Sequence, residues 1–235
     1  MGAAVLSGLM AVTCSQVGYW ANSITLFEHA LDVTAGNYVA HANLGIAFMA
    51  QGRTSEAMSH YSDALRINPY CVDVHNNMGL ILAKEGRISE AITHYSEALR
   101  LEPGMATAHA NLGNALLTQG KLDEAEGQYK KALSINPGYA EALNNLGIVY
   151  MTRKDYQSAL TFFRKMIELQ PDSVMAHYNI ACVYARQGKI EESVDWLKKA
   201  IGKGFKDWDI LKTDKDLENI RGSVGYKELI RGQSD

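Results

Sequence analysis

Two residue types recur in this chain at a spacing that could carry chemistry. Histidine stands at His41, His75, His109 and His177, and asparagine at Asn43, Asn77, Asn111, Asn145 and Asn179. Neighbours in each series are 34 residues apart, or twice that, as from Pro69 to Pro103. Imidazole is a metal ligand, a proton carrier and a hydrogen-bonding ring. A primary amide offers donors and an acceptor together, the complement of a peptide bond. A metal ion needs its ligands around one point. Equivalent residues in successive packed helices lie roughly 10 Å apart, so the four registered histidines cannot share an ion. They are expected as half-buried rings packed against the neighbouring repeat, with no metal bound. The chain has no phosphate-binding loop, no GxGxxG after a strand, no HExxH and no GxSxG, and no isolated carboxylate pair for acid–base work. No catalytic residue and no cofactor are expected, and the protein is not expected to be an enzyme.

The elements that carry these residues follow one period. All four prolines, Pro69, Pro103, Pro137 and Pro171, keep it. So do Gly45, Gly79, Gly113 and Gly147, then Gly52, Gly86 and Gly120 with Gly188 two steps on, and the aromatics Tyr61, Tyr95, Tyr129 and Phe163. A fixed period of this length signals a stacked repeat array. In Tyr38–Cys71, residues His41, Leu44, Gly45 and Phe48 fall on one helical face, and Gly52 ends that helix. A second helix is expected to open at Ser55-Glu56-Ala57. It carries an apolar stripe of Ala57, Tyr61, Ala64 and Leu65, and stops at Asn68-Pro69. One such pair cannot bury its apolar face alone, so units must stack.

The Leu-Gly, aromatic, Ala, aromatic, Ala and Pro positions resemble the tetratricopeptide repeat. The resemblance implies an all-α, right-handed α-solenoid of helix-turn-helix units over residues 38–207. Its units are Tyr38–Cys71, Val72–Met105, Ala106–Tyr139, Ala140–Ser173 and Val174–Asp207. The last departs from the pattern, with Ala181 for glycine, then Ser193 and Leu197, and no proline. Residues 1–37 read as a degenerate unit or capping helices, with Gly18, Ser23, Phe27 and Ala30 in register. Residues 208–235 read as a charged, amphipathic C-terminal cap.

Asparagine is a mediocre helix former that prefers caps and turns. Five in register inside helices therefore ask for a reason. Their face of the first helix also carries Asn76, Asn114, Asn144 and Tyr178. In the family this face lines the concave groove. The row resembles the asparagine ladder in the repeat domain of O-linked N-acetylglucosamine transferase, which holds a peptide's main chain. The resemblance makes Asn43, Asn77, Asn111, Asn145 and Asn179, with Asn76, Asn114, Asn144 and Tyr178, the candidate peptide-binding groove. The alternative is that these amides bond each other or nearby carbonyls and simply align the helices. No glycosyltransferase domain accompanies the array, so no catalysis carries over. Repeat positions 2 and 5 carry no lysine or arginine, which argues against a clamp for acidic C-termini.

Composition sets the outer bounds. With 47% hydrophobic and 21% charged residues the chain reads as an ordinary folded protein. A net charge of −3 and scattered basic residues argue against nucleic acid as a partner. Three dispersed cysteines, Cys14, Cys71 and Cys182, do not make a disulfide framework or a zinc site. The expected partner is a protein or peptide bound in the groove. Two alternatives stand beside that. Gln16–Leu31 resembles the passage from the last membrane helix into repeats in multi-spanning glycosyltransferase-like proteins. Apolar Met1–Thr13 would then belong to a longer membrane helix, and the chain would be the soluble tail of a membrane-associated protein; a complete chain would be cytoplasmic. Apolar end units could also stack head to tail, giving a self-assembling scaffold.

Overall fold

The computed structural model describes residues 23–231, and every regular element among them is helical. Met1–Thr13, Cys14 and Gly18 lie outside the described residues. The chain divides into two compact units at Ala108–His109. The first holds α1 (Ser23–Val33), α2 (Tyr38–Ala50), α3 (Thr54–Ile67), α4 (Val72–Lys84) and α5 (Ile88–Leu101). Short turns join α2 to α3 and α4 to α5, so each pair runs antiparallel. Leu44, Phe48, Tyr61, Met78 and Ile81 build its core, and Phe27 of α1 packs on the edge. From α6 (Ala106–Thr118) onward come α7 (Leu122–Ile135), α8 (Ala140–Thr152), α9 (Tyr156–Leu169), α10 (Val174–Arg186) and α11 (Ile190–Gly202). A C-terminal segment follows, made of α12 (Trp208–Thr213), a 3-10 turn (Lys215–Ile220) and α13 (Val224–Arg231). Leu211, Leu217, Ile220 and Tyr226 of that segment join the core of the second unit.

The period has a steric cause. In each of four pairs a glycine of the first helix lies against an aromatic ring from the second. A methyl group added at Gly79 would sit 2.6 Å from a ring carbon of Tyr95, and at Gly113 equally close to Tyr129. Gly45 faces Tyr61 and Gly147 faces Phe163 in the same way. All four rings are buried to within 1% of full exclusion from solvent. The departures of the last pair compensate one another. Ala181 brings the extra methyl, and Leu197 stands where the ring would have met it; both are fully buried. Ser193, in place of alanine, donates its hydroxyl to the Ala181 carbonyl at 2.8 Å, which removes the cost of burying it.

The helix ends follow a second rule. Gly52, Gly86, Gly120 and Gly188 have φ between +73° and +79°, the left-handed turn that ends a helix. The bonds are those of a Schellman end: Arg53 N–H to Phe48 O at 2.9 Å and Gly52 N–H to Met49 O at 3.0 Å. The same turn in the fourth repeat is held by Lys154, at φ 63°. The second helices start one residue earlier than the sequence suggested. Thr54 opens α3 and Arg53 is its cap, with no side-chain capping bond. Arg53 instead reaches forward to Glu56, Nε to Oε2 2.6 Å, which leaves Ser55 inside the first turn.

Two outcomes test this account. Gly113→Ala is expected to destabilise by about 1–3 kcal/mol in denaturant melts, because the ring has nowhere to go. Adding Tyr129→Leu, which copies the last pair, is expected to recover part of that loss, so the double variant should be more stable than the sum of the singles. Lys154→Gly is expected to stabilise by about 0.5–1 kcal/mol, since relief of the left-handed strain exceeds the entropy glycine loses.

Candidate functional site

The amide row lies on the side of the first helices away from the glycine–aromatic contacts, and the two units treat it differently. In the first unit it borders an open cleft of about 320 Å³. Asn43 and Asn77 line that cleft together with Tyr38, Val39, Ile46 and Tyr70. These four apolar side chains are exposed, Tyr70 by 67% and Val39 by 50%. Asn43 donates one amide hydrogen to the Val39 carbonyl at 2.9 Å, and its nitrogen carries a second. Asn77 bonds the Tyr61 hydroxyl, whose pKa burial pushes up to about 12. Asn76, beside it, is buried.

In the second unit the amides are strung together. Asn145 Nδ2 donates to Asn114 Oδ1 at 2.7 Å, and Tyr129 OH donates to the same oxygen at 2.8 Å. Asn114 Nδ2 donates to Glu141 Oε1 at 2.7 Å. Asn144 Nδ2 donates to Asn145 Oδ1 at 3.0 Å, and Asn179 Nδ2 to Asn144 Oδ1 at 2.6 Å. Asn111 is half-buried on α6. The amide oxygens of Asn114, Asn144 and Asn145 are already accepting, so the amides here join neighbouring helices.

Tyr178 is covered rather than presented to a ligand. Its ring stacks on Phe205, centroids 4.6 Å apart and 5° from parallel. Its hydroxyl donates to Asp214 Oδ2 at 2.5 Å. Arg186, two turns further along α10, pairs with Asp216 at 3.2 Å. The C-terminal segment therefore lies on the asparagine-bearing side of α10. Cys182, Asp214 and Asp216 bring three polar atoms within 4.8 Å of one another. Tyr178 and Arg186 already satisfy the two carboxylates, and burial holds the thiol pKa well above its ordinary value.

Each registered histidine meets a partner inside its own repeat, and His75 and His177 also bond a carbonyl of the repeat before, that of Pro69 and that of Ser173. His41 Nδ1 lies 3.0 Å from His60 Nδ1, and His75 Nδ1 lies 3.1 Å from His94 Nδ1. In the third repeat a glutamine takes the second place, with His109 Nδ1 2.8 Å from Gln128 Oε1. His177 bonds the Ser173 carbonyl at 2.8 Å and tilts against Trp196. His60 and His94 were not singled out from the sequence, although they too stand 34 residues apart. Tyr70 and Val39 escaped notice as cleft residues because exposed apolar side chains are common at any surface.

Among the described residues no helix is long and apolar enough to cross a membrane. Stacked helix pairs with an amide-bearing cleft define a helical-repeat scaffold. The particular repeat is settled by comparison. Tetratricopeptide-repeat models match residues 45–86, 76–140 and 138–202, and the chain belongs to the tetratricopeptide repeat family. Among solved structures, MamA shares 26% identity, with a TM-score of 0.63 over 68% of this chain and 94% of that one. YrrB, described as a TPR protein with an unusual peptide-binding site, shares 21%, with a TM-score of 0.64 over 76% and 92%. A tetratricopeptide repeat protein from Parabacteroides merdae shares 23%, with a TM-score of 0.70 over 83% and 77%. No curated protein matches the chain. The family and fold support a protein–protein interaction scaffold, and such proteins are typically non-catalytic.

The paired rings carry a pH dependence. Burial first, and the facing ring second, hold His60 and His94 below the ordinary 6.5. The unfolded chain takes up these protons at higher pH than the folded one does. Stability is therefore complete above 6.5 and is lost as pH falls from there toward the folded values. The carboxylates act lower. Glu126, held at about 2 by Lys130, Tyr150 and Arg153 against an ordinary 4.5, gives up its contribution only below 4.5. Melting temperatures recorded between about pH 7.5 and 5 should fall for the native chain, and fall less for the His60→Gln, His94→Gln double variant.

Proposed function

We propose that the protein is an interaction scaffold whose first unit takes an extended peptide into the cleft beside Asn43 and Asn77. The observation that carries this reading is the coincidence of amide groups with exposed apolar side chains at one open cleft. An extended peptide presents main-chain donors and acceptors along its edge and side chains alternately to either face. The Asn43 amide can answer the main chain, and Tyr70, Val39 and Ile46 offer contact to an apolar side chain. Such a pocket accepts many sequences that share one apolar anchor. In the second unit the interlinked amides support a structural role for Asn114, Asn144, Asn145 and Asn179, so the binding assignment narrows to the first unit.

The test uses the full chain against a displayed random-peptide library, followed by calorimetry with several recovered peptides of differing sequence. Asn43→Ala should weaken all of them by a similar amount, about 0.5–1.5 kcal/mol for one hydrogen bond, without lowering the melting temperature, since alanine is the better helix former. Tyr70→Ala should weaken them unequally, most for peptides with a large apolar anchor. Unchanged affinity in both variants would overturn the assignment.

A further inference from the structure

We propose that the histidine pairs His41/His60 and His75/His94 form a duplicated binding site for a divalent transition-metal ion of the zinc type. The proposal is independent of the peptide cleft. The expectation of no metal concerned rings in successive repeats; these pairs lie within single repeats, one ring from each helix.

The first support is distance. On an ion bound at about 2.0–2.1 Å, two nitrogens between a right angle and the tetrahedral angle stand about 2.9–3.4 Å apart. The Nδ1 atoms stand 3.0 and 3.1 Å apart. The second support is the tautomer. His75 Nε2 lies 3.0 Å from the Pro69 carbonyl. A carbonyl only accepts, so Nε2 carries the proton and Nδ1 turns its lone pair toward His94. A backbone carbonyl on the outer nitrogen is one of the usual partners of a metal-bound histidine, beside carboxylate and water. Without an ion, the His94 Nδ1 proton fills the gap between the rings. With one, His94 takes its Nε2–H tautomer and both Nδ1 lone pairs bind the metal, so neutral rings change tautomer with no net proton lost.

The third support is the carboxylate that repeats beside each pair. Asp63 Oδ2 lies 4.0 Å from His41 Nδ1, and Glu97 stands one period on. Their present partners, Arg66 and Arg100, are more than half exposed, and exposed pairs of this kind are weak. As the side chains stand, neither acid completes a three-atom group with its histidine pair; each becomes the third ligand by turning from its arginine to the ion, with water as the fourth. Access is provided at the second pair by an open cavity of about 660 Å³, lined by His75, His94 and Glu97. The third repeat supplies an internal contrast. Its His109–Gln128 pair keeps the cross-helix hydrogen bond while an amide oxygen replaces the second imidazole, and lysine stands at the carboxylate position as Lys131.

That contrast also supplies the variants. His60→Gln and His94→Gln each copy the third repeat and should leave the melting temperature near neutral pH unchanged. Chelator-treated full-length protein titrated with zinc chloride alone should bind one ion per histidine pair. Each single variant should lose one binding event. The double variant should bind at least about 100-fold more weakly, beyond the loss expected from an outer-shell partner. Ring nitrogen-15 shifts should move on zinc addition for His41, His60, His75 and His94 in the native chain. Zinc binding of unchanged stoichiometry and affinity in the double variant, or ring shifts confined to other histidines, would overturn the proposal.

Discussion

Each helix pair of this protein is organised by a volume that holds either an aromatic ring or a methyl group, but not both. At Gly45, Gly79, Gly113 and Gly147 a side chain would run into Tyr61, Tyr95, Tyr129 or Phe163. Ridge-and-groove packing usually leaves helices 8–10 Å apart; a buried ring set against bare backbone fills that space with apolar contact. The last pair shows the same volume filled differently, with Ala181 opposite Leu197 and a serine hydroxyl closing on the Ala181 carbonyl. A trade that conserves volume is what a close-packed interior tolerates.

That contact decides what the other residues of the first helix can do. Successive residues turn by about 100°. The histidine lies four residues before the glycine and so shares its face, toward the second helix, where His60, His94 or Gln128 meets it. The asparagine lies two residues before the glycine, about 200° round the helix, and so looks away from the pair. One steric constraint therefore sends imidazoles into the pair and amides out of it. Whether an amide then reads a ligand or ties helices together depends on its neighbours. In the first unit Asn43 borders a cleft edged with exposed Tyr70 and Val39. In the second, Asn114, Asn144, Asn145 and Asn179 are linked in sequence, and the C-terminal segment covers Tyr178 through Asp214 and Phe205.

The sequence by itself determined the repeat, its helix pairs and the inward and outward faces of each first helix. Those are local properties: a period of 34, glycines able to turn left-handed at helix ends, and residues three and four apart sharing a face. Its few local misses have local causes. Arg53 caps α3 because its own side chain pairs with Glu56, and Lys154 holds a turn that glycine holds elsewhere. Tertiary structure alone decided which residues meet. The partners of His41 and His75 lie nineteen residues on. The partner of Tyr178 is 36 residues away, and Asn145 bonds an asparagine of the helix pair before its own. No period in the chain specifies such pairs, because they depend on the distance and rotation at which one helix settles on another.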